Sequence, residues 1–466
     1  MGAIMKRSRF CIRFAAALAF GLSGLGNTAS AQISTVPASP ISLNPFLSVQ
    51  GYTPSSPLIV PTAGSGSHCG TFQIVQTGND GLPDTLTAIA KLSPTGAVGC
   101  GPVAVAYANT VAFGITSYNG TNGSGGVIVF EQAPADAGGK RLDQGEVELA
   151  RFLFPEGFGN PVGAFVTSST SSGGTLAVTA GSQGAGGTFG QIDYVKYFLS
   201  NKSKFSTASA RALKFKLGAI TQIFAFPGGA GGAEPGSAAV MGPDGNLYGT
   251  TLAGGMTGSC FGGCGVVYQL TPPTGNQTQW NENVLYTFGS QPAFSDPYAS
   301  VSFDSAGNVY TTAAFGDAGD GGGVIKLTKQ ATFPWPLTTI YAFEQGTSTG
   351  AVPLGGVSLD SNGNIYGSTL VDGGKDGSGD GTVFELIKPR KNSGAGNWPI
   401  RILRHFHGGP NDGANPSGSI VLIGGDLYGT TYGGGNDVFN GKCPGGGLHD
   451  TKPGCGVVYG LPLPTP

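Results

Sequence analysis

The chain of 466 residues contains 84 glycines, only 11% charged residues and a formal net charge of -2. So much glycine excludes a mainly helical protein, and 27 phenylalanines and 15 tyrosines exclude a disordered one, because their rings supply a core. The mild acidity argues against a nucleic-acid partner. The composition therefore predicts many short strands joined by tight turns.

Residues 1–31 have the features of a secretory signal peptide. Four basic residues precede a short apolar run, Phe14 to Leu25, and Ala29-Ser30-Ala31 fits a cleavage site. The run is too short to cross a membrane, and no later stretch approaches about 20 apolar residues. We expect one exported domain, residues 32–466, without a stable membrane span and located in the periplasm or outside the cell.

A repeat of two phrases runs along the chain and dictates its fold. The first phrase reads Leu247-Tyr248-Gly249-Thr250-Thr251 and recurs from residues 309, 365 and 427. The second reads Gly265-Val266-Val267-Tyr268 and recurs from residues 323, 381 and 456. Weaker copies of the first phrase begin at residues 58, 111 and 176. The chain therefore contains about seven units.

Each unit holds four apolar phrases of strand length, rich in β-branched and aromatic residues. In the clearest unit these are residues 299–303, 309–313, 324–327 and 338–343. Such units predict an all-β fold, a β-propeller of seven four-stranded blades. Six blades are the alternative if the degenerate first unit is not a blade, and an open β-solenoid is the runner-up.

The two ends of the chain indicate how the ring would close. The last unit has no fourth strand-like phrase after residue 461. The segment Ile41–Phe46 lies just before the first unit. We expect it to supply the missing outer strand, so that pairing of N- and C-terminal strands closes the propeller.

Removal of the signal leaves six cysteines, an even number that suits disulfides in an oxidising compartment. Three of them stand at equivalent positions of the repeat, and two of these three have a second cysteine in the preceding loop. A zinc site at residues 260–264 is the alternative. The predicted disulfides are Cys260–Cys264, Cys443–Cys455 and, by elimination, Cys69–Cys100.

The repeat resembles the GloVer-type tandem repeat of exported bacterial proteins. The phrases that carry the resemblance are residues 406–416 (FHGGPNDGANP), 426–431 (DLYGTT) and 456–459 (GVVY). The similarity is close from about Phe226 to Tyr459 and fades over residues 58–220. The resemblance implies an exported repeat scaffold and brings no catalytic residue with it.

His405 and His407 are the candidate catalytic residues. They flank Phe406, and alternation along a strand would put both imidazoles on one face. Such a pair can bind a metal or act as a base. The aligned phrases have Thr287 and Ala342 in place of His405, which indicates a small surface position and favours a structural interpretation.

Acid-rich loops are candidate calcium sites, and no other cofactor is expected. The loop that contains Asp372, Asp376 and Asp380 offers three carboxylates. Oxygen-rich turns at residues 243–246 and 304–308, with a third at 360–364, are explained by turn chemistry, since Asp, Asn and Gly favour tight turns.

The loops between second and third strands are the longest and most variable, and such loops carry function. Phe261, Phe315 and Tyr432 project from or near them and could stack on sugar rings. No catalytic signature is present. We therefore favour a monomeric exported scaffold that binds a carbohydrate or protein partner through one face. A secreted carbohydrate-active hydrolase or lyase is the alternative.

Overall fold

The computed structural model describes strands between residues 58 and 199 and the chain from residue 212 to 463. Within 212–463 the description has gaps at residues 256–259, 261, 276–278, 290–293, 317–319, 375–378, 390–397, 409–411, 424 and 435–457. The predicted signal peptide and the segment Ile41–Phe46 lie outside the described residues. No helix in the described part of the chain has the length and apolarity to span a membrane.

The described strands confirm an all-β fold made of antiparallel sheets of consecutive strands. Sheet 1 contains β1 (Leu58–Thr62), β2 (Cys69–Thr77) and β3 (Pro83–Leu92). Sheet 2 contains β4 (Cys100–Ala108), β5 (Val111–Tyr118), β6 (Gly126–Glu131) and β7 (Val147–Leu153). Sheet 3 contains β8 (Pro161–Ser169), β9 (Gly173–Ala180), β10 (Thr188–Leu199) and β11 (Ala212–Ala225).

Four more sheets follow a 3-10 turn at Gly229–Gly231. Sheet 4 contains β12 (Ala233–Pro235), β13 (Val240–Met241), β14 (Leu247–Ala253), β15 (Val266–Thr271) and β16 (Asn281–Thr287). Sheet 5 contains β17 (Ser302–Phe303), β18 (Val309–Ala313), β19 (Asp320–Leu327) and β20 (Leu337–Glu344). Sheet 6 contains β21 (Ser358–Leu359), β22 (Ile365–Thr369), β23 (Thr382–Leu386) and β24 (Ile400–His405). Sheet 7 contains β25 (Gly413–Pro416), β26 (Val421–Ile423), β27 (Asp426–Gly434) and β28 (Val458–Pro462).

The sheets follow one another as in a propeller. Sheets 2 to 6 contain a first, second, third and fourth strand in chain order, and the first strands of sheets 4 and 7 are split in two. First strands of neighbouring sheets contact each other, since β17 contacts β21 and β21 contacts β26. By the repeat, β1 aligns with the second strands, so the described part of sheet 1 begins at its second strand.

A threonine in the fourth place of the first phrase joins neighbouring sheets. The hydroxyl of Thr250 donates to the Ala299 carbonyl of sheet 5 at 2.9 Å, and that of Thr312 donates to Gly355 of sheet 6 at 3.1 Å. These threonines are buried, so each hydrogen bond replaces one with water and fixes the spacing of two sheets.

Tryptophans join the sheets a second time, near their fourth strands. The backbone N–H groups of Trp280, Trp335 and Trp398 donate across to the preceding sheet at 3.3, 2.7 and 3.1 Å. Each acceptor is the carbonyl of a residue that the register skips in a fourth strand, which is a β-bulge. These bulge residues are Ile223, Leu285 and Ile340.

The oxygen-rich turns are built by their own hydrogen bonds. The Asp304 carboxylate accepts from the N–H groups of Ala306 and Asn308, both at 3.0 Å, and from the hydroxyl of Tyr310 at 3.1 Å. Asp360 makes the same set with its own turn and Tyr366. These contacts support the interpretation from turn chemistry.

Candidate functional site

One residue with a positive φ angle stands before a proline at the start of each of sheets 4 to 7. A left-handed backbone disfavours a side chain with a Cβ, and a residue before proline normally prefers an extended backbone. The position is held because its carbonyl accepts a hydrogen bond from the end of the second strand, as Asp296 does from Ala314 at 3.1 Å. The four residues are Glu234 (56°), Asp296 (56°), Val352 (60°) and Asn415 (57°).

These Xaa-Pro positions lie on the same face as the loops between second and third strands. Bridges pair Ser295 with Phe315 and Ala351 with Val371, at the start of those loops. We call this side of the sheets the loop face. The fold therefore brings a polar residue from three different sheets (Glu234, Asp296 and Asn415) to the same face.

The charges of Glu234 and Asp296 both act on Tyr298, which belongs to the same sheet as Asp296. Burial raises the pKa of the Tyr298 hydroxyl, and the negative charges of Asp296 and Glu234 raise it further. Burial also raises the pKa of Asp296 to about 6, although the Ser295 hydroxyl donates to its carboxylate at 2.9 Å. Two carboxylates from adjacent sheets thus act on one phenol.

An apolar cluster supports Tyr298. The ring is partly buried against Phe315, Val352 and Leu354. Phe315 itself is buried, which does not favour the expected stacking of its ring on a sugar. Its pairing with Ser295 draws it beneath the Xaa-Pro segment. Tyr298 is therefore the aromatic candidate for ligand contact on the loop face, the role that the sequence analysis gave to Phe315.

The predicted disulfide Cys260–Cys264 is present and lies beside this group. The Cys264 carbonyl accepts a hydrogen bond from the Asp296 N–H at 3.4 Å, so the stapled loop contacts the backbone of the carboxylate residue. Cys443, Cys455 and Phe261 lie outside the described residues. The same holds for the side chains of Cys69, Cys100 and Tyr432, although their strands are described.

The structure places Asp372 and Asp380 next to each other, joined by a backbone bridge, and both are buried. The Asp372 carboxylate accepts the N–H of Gly346 at 2.8 Å. Asp376 lies outside the described residues. Among the described residues, no group of three or more His, Cys, Asp or Glu side chains is placed to hold a metal ion.

His405 and His407 lie on and just after the fourth strand of sheet 6, the edge opposite the first strand. The side chain of His407 is 73% exposed, and its Nδ1 lies 3.6 Å from the Asp412 carboxylate. Asp412 also accepts from Arg404 at 2.8 Å and from the His407 N–H at 3.1 Å. Asp412 thus organises the connection between sheets 6 and 7, which favours the structural interpretation of the pair.

Sequence reasoning missed Tyr298 and the Xaa-Pro positions. The signal was available, because an Xaa-Pro pair precedes each strong copy of the first phrase at a nearly constant interval, as Pro297 precedes Val309. It was hidden because the four Xaa residues (Glu, Asp, Val and Asn) differ in chemistry.

Comparisons with known proteins give one family and several distant structures. No curated protein matches the chain. Similar solved structures include a putative oxidoreductase (glucose dehydrogenase) from Thermus thermophilus, with 14% identity, a TM-score of 0.39, and coverage of 77% of this chain and 96% of that one. A xylan β-1,4-xylosidase from Bacillus halodurans is 11% identical, with a TM-score of 0.33 and coverage of 65% of this chain and 54% of that one. An exo-1,5-α-L-arabinanase from a bovine ruminal metagenomic library is 9% identical, with a TM-score of 0.31 and coverage of 78% of this chain and 93% of that one.

The family model of the Gloeobacter/Verrucomicrobia repeat matches residues 235–443. This range begins at the Xaa-Pro proline of sheet 4 and runs into the long loop of sheet 7. It coincides with the part of the chain in which the two phrases are clearest. Residues 235–443 therefore match the Gloeobacter/Verrucomicrobia repeat, in agreement with the resemblance of the phrases in this part of the chain.

Proposed function

We propose that this protein is an exported repeat scaffold that binds a carbohydrate on its loop face. The observation that carries the proposal is the partly buried Tyr298 ring of the loop face, on whose hydroxyl the charges of Asp296 and Glu234 from adjacent sheets both act. An aromatic ring packs against the apolar face of a sugar, and carboxylates accept hydrogen bonds from its hydroxyls. A ligand that bridges two sheets would use both kinds of contact.

The proposal includes a closed propeller of seven blades, formed by residues 32–466 and completed by the N-terminal segment. Seven successive sheets among the described residues and contacts between neighbouring first strands support it. The signal-like residues 1–31 and the disulfide Cys260–Cys264 support export, because disulfides persist in oxidising compartments.

A glycan array on residues 32–466 tests the binding function, with Tyr298→Ala as the site variant. Glu344→Gln is the matched control, since Glu344 is an exposed acid at the end of a fourth strand. We expect Tyr298→Ala to weaken glycan binding at least tenfold and Glu344→Gln to leave it unchanged. Binding to no glycan would overturn the proposal of a carbohydrate ligand and would favour a protein partner. Dependence on added calcium would implicate the loop of Asp372 and Asp380.

Hydrolysis of the bound sugar is a second candidate, favoured by one observation. Burial raises the pKa of Asp296 to about 6, and the charges of both Asp296 and Glu234 act on Tyr298. Glycoside hydrolysis needs one carboxyl group that is protonated near the working pH and a second carboxylate close by. Mass spectrometry of the glycan after incubation separates the two functions. A cleaved glycan, with cleavage lost in Asp296→Asn and declining above about pH 6, would establish the enzyme. An intact glycan would support the scaffold function and exclude hydrolysis of that glycan.

A further inference from the structure

One Xaa-Pro pair of the loop face has a chemistry that the other pairs lack. Asp296–Pro297 is the only Asp-Pro sequence in the chain. An aspartate side chain can close a five-membered ring onto its own backbone carbonyl carbon, and proline supplies a tertiary amide nitrogen, which accepts a proton readily as the bond breaks. The equivalent pairs begin with Glu234, Val352 and Asn415, which offer a longer acid, an aliphatic side chain and an amide. An acid-labile bond thus lies at one of these left-handed positions.

Two backbone N–H groups hold the carbonyl oxygen of this bond. The N–H of Tyr298 donates to the Asp296 oxygen at 2.9 Å, and that of Ala314 donates to it at 3.1 Å. Ala314 follows the second strand of sheet 5, so this donor is positioned by the sheet and not by the segment that contains the bond. Paired donors on a carbonyl oxygen stabilise the negative charge that develops there when the carbon is attacked. The bond therefore has the donor pair that an oxyanion hole supplies.

The backbone at Asp296 is also held away from its preferred conformation. Its φ angle of 56° is in the left-handed region, which a residue with a Cβ disfavours and which a following proline disfavours further. Two neighbouring segments contact it through backbone groups and impose this conformation, the stapled loop through the Cys264 carbonyl and the end of the second strand through the Ala314 N–H. Cleavage after Asp296 would release the strain. The fold therefore disfavours the intact bond relative to the cleaved chain.

The Asp296 residue is partly buried, so its carboxyl group is sheltered while water can still reach it. The Ser295 hydroxyl donates to its Oδ2 at 2.9 Å. Two ionisable groups share this part of the loop face: Tyr298, on whose hydroxyl the Asp296 charge acts, and Glu234 of sheet 4, whose charge acts on the same hydroxyl. Neither group is a cation, and burial raises the pKa of Asp296 to about 6. The carboxyl group therefore keeps its proton in mildly acidic solution, in which an ordinary aspartate is ionised.

We propose that Asp296–Pro297 is a self-cleavage site, at which the Asp296 carboxyl group cleaves the chain in mildly acidic solution. A carboxyl oxygen forms a bond to the Asp296 carbonyl carbon, and the two N–H groups hold the tetrahedral oxyanion. The C–N bond then breaks, and the Pro297 nitrogen takes the proton of the carboxyl group and leaves as a secondary amine. One water molecule opens the cyclic anhydride that remains on Asp296, which gives a free α-carboxyl group and restores the side chain. The net reaction is hydrolysis of one peptide bond, and it does not depend on which ligand binds.

Incubation of residues 32–466 without any glycan, followed by denaturing electrophoresis and mass spectrometry, tests the proposal. At about pH 5 we expect two fragments, the second beginning with Pro297, formed at least about tenfold faster in the folded chain than in the same chain unfolded in guanidinium chloride. Raising the pH to about 8 should slow the cleavage at least about tenfold, because the carboxyl group loses its proton. The readout has to be denaturing, because contacts between sheets 4 and 5, such as that of Thr250 with Ala299, still join the two fragments.

Two variants test the ring closure. Asp296→Asn removes the acid and Asp296→Glu lengthens it by one methylene, so both should be cleaved at least about tenfold more slowly than the parent chain. Glu344→Gln, the exposed matched control, should be cleaved at the parent rate. Unchanged cleavage in Asp296→Asn, cleavage at another bond only, or equal rates in the folded and unfolded parent chain would overturn the proposal. The last comparison does not depend on whether a variant folds. A glycan array that fails while the chain cleaves itself would count against the binding function only.

Discussion

The glycine in the third place of the first phrase is required by its cross-strand neighbour. A Cβ on Gly249 would overlap the Tyr268 hydroxyl, and one on Gly367 would overlap the ring of Phe384. Sheet 5 has the opposite combination, because the larger Thr311 in the third place of its phrase faces the smaller Ile325 on the third strand. The third residue of the first phrase therefore varies together with the residue opposite it on the third strand, and it is glycine where that residue is an aromatic one.

Removing a tyrosine hydroxyl from sheet 4 should change the free energy of unfolding differently at Tyr248 and at Tyr268. The Tyr248 hydroxyl donates to Asp244 at 2.7 Å and accepts from Gln269 at 2.6 Å, whereas the buried Tyr268 hydroxyl has no hydrogen-bond partner among the described residues. Tyr248→Phe should lower the free energy of unfolding by about 1–3 kcal/mol, because the Nε2 group of the buried Gln269 loses its acceptor.

Tyr268→Phe should be neutral or stabilising by up to about 1 kcal/mol, since Phe384 fills the equivalent place in sheet 6 without a hydroxyl. Urea denaturation of both variants checks the pair. A loss at Tyr268 as large as that at Tyr248 would mean that the Tyr268 hydroxyl is satisfied, for example by a buried water.

Glu282 predicts a pH dependence of stability. Burial raises its pKa from 4.5 to about 8, and its Oε1 is buried without a hydrogen-bond partner in the described part of the chain. Between these two values the folded state holds a proton that the unfolded state releases, so this group lowers stability as pH rises from about 4.5 to 8.

Glu282→Gln should therefore raise the free energy of unfolding by about 1–3 kcal/mol at pH 8 and change it little at pH 4.5. Chemical denaturation at the two pH values measures the difference. An equal effect at both would show that the carboxyl titrates near its ordinary pKa.

Between strands, the tryptophan link explains how a bulge becomes part of the architecture. A β-bulge leaves one residue out of the ladder, and its carbonyl needs another donor. Here the next sheet supplies that donor through the backbone N–H of Trp335 for Leu285, while the Trp335 ring packs against Tyr248 of the preceding sheet. The bulge and the tryptophan thus form one joint between two sheets.

The joint predicts a large effect for Trp335 and a small one for its stacked neighbour Phe333. Trp335 is 2% exposed and Phe333 is 44% exposed. Trp335→Ala should lower the free energy of unfolding by about 3–5 kcal/mol, because it empties a packed site. Phe333→Ala should stay within about 0.5 kcal/mol. Equal losses in thermal or urea denaturation would place the stabilising contact in the exposed stack instead of the buried ring.

Across the whole molecule, a closed ring and an open array differ in how they unfold. In an open array each unit contacts only its neighbours, and the ends can fray. If the N-terminal segment closes the ring, every sheet has two neighbours, and calorimetry of residues 32–466 should show one transition with equal van't Hoff and calorimetric enthalpies. A van't Hoff enthalpy well below the calorimetric one would indicate sheets that unfold separately.

Much of the fold was predictable because it is local. The phrase from Val309 to Ala313 became β18 with the same bounds, since alternating apolar residues and turn signals act over a short stretch of chain. The regular spacing of the Xaa-Pro pairs is visible in the sequence, but their left-handed backbone was not predictable, because it opposes the local preference and is imposed by contacts such as Ala314 to Asp296. Tyr298 was missed for the same reason, since its partner Glu234 belongs to the preceding sheet and lies far from it in the sequence.

The tryptophan joint also has a consequence for how such a chain can lengthen or shorten. Each joined unit carries both halves of the connection, a donor for the unit before it and a bulge carbonyl for the unit after it, as sheet 4 does with Trp280 and Leu285. A duplicated unit would meet compatible neighbours wherever it was inserted. The number of units is therefore free to change by duplication or loss of a gene segment, while the surface loops diversify independently of the joints.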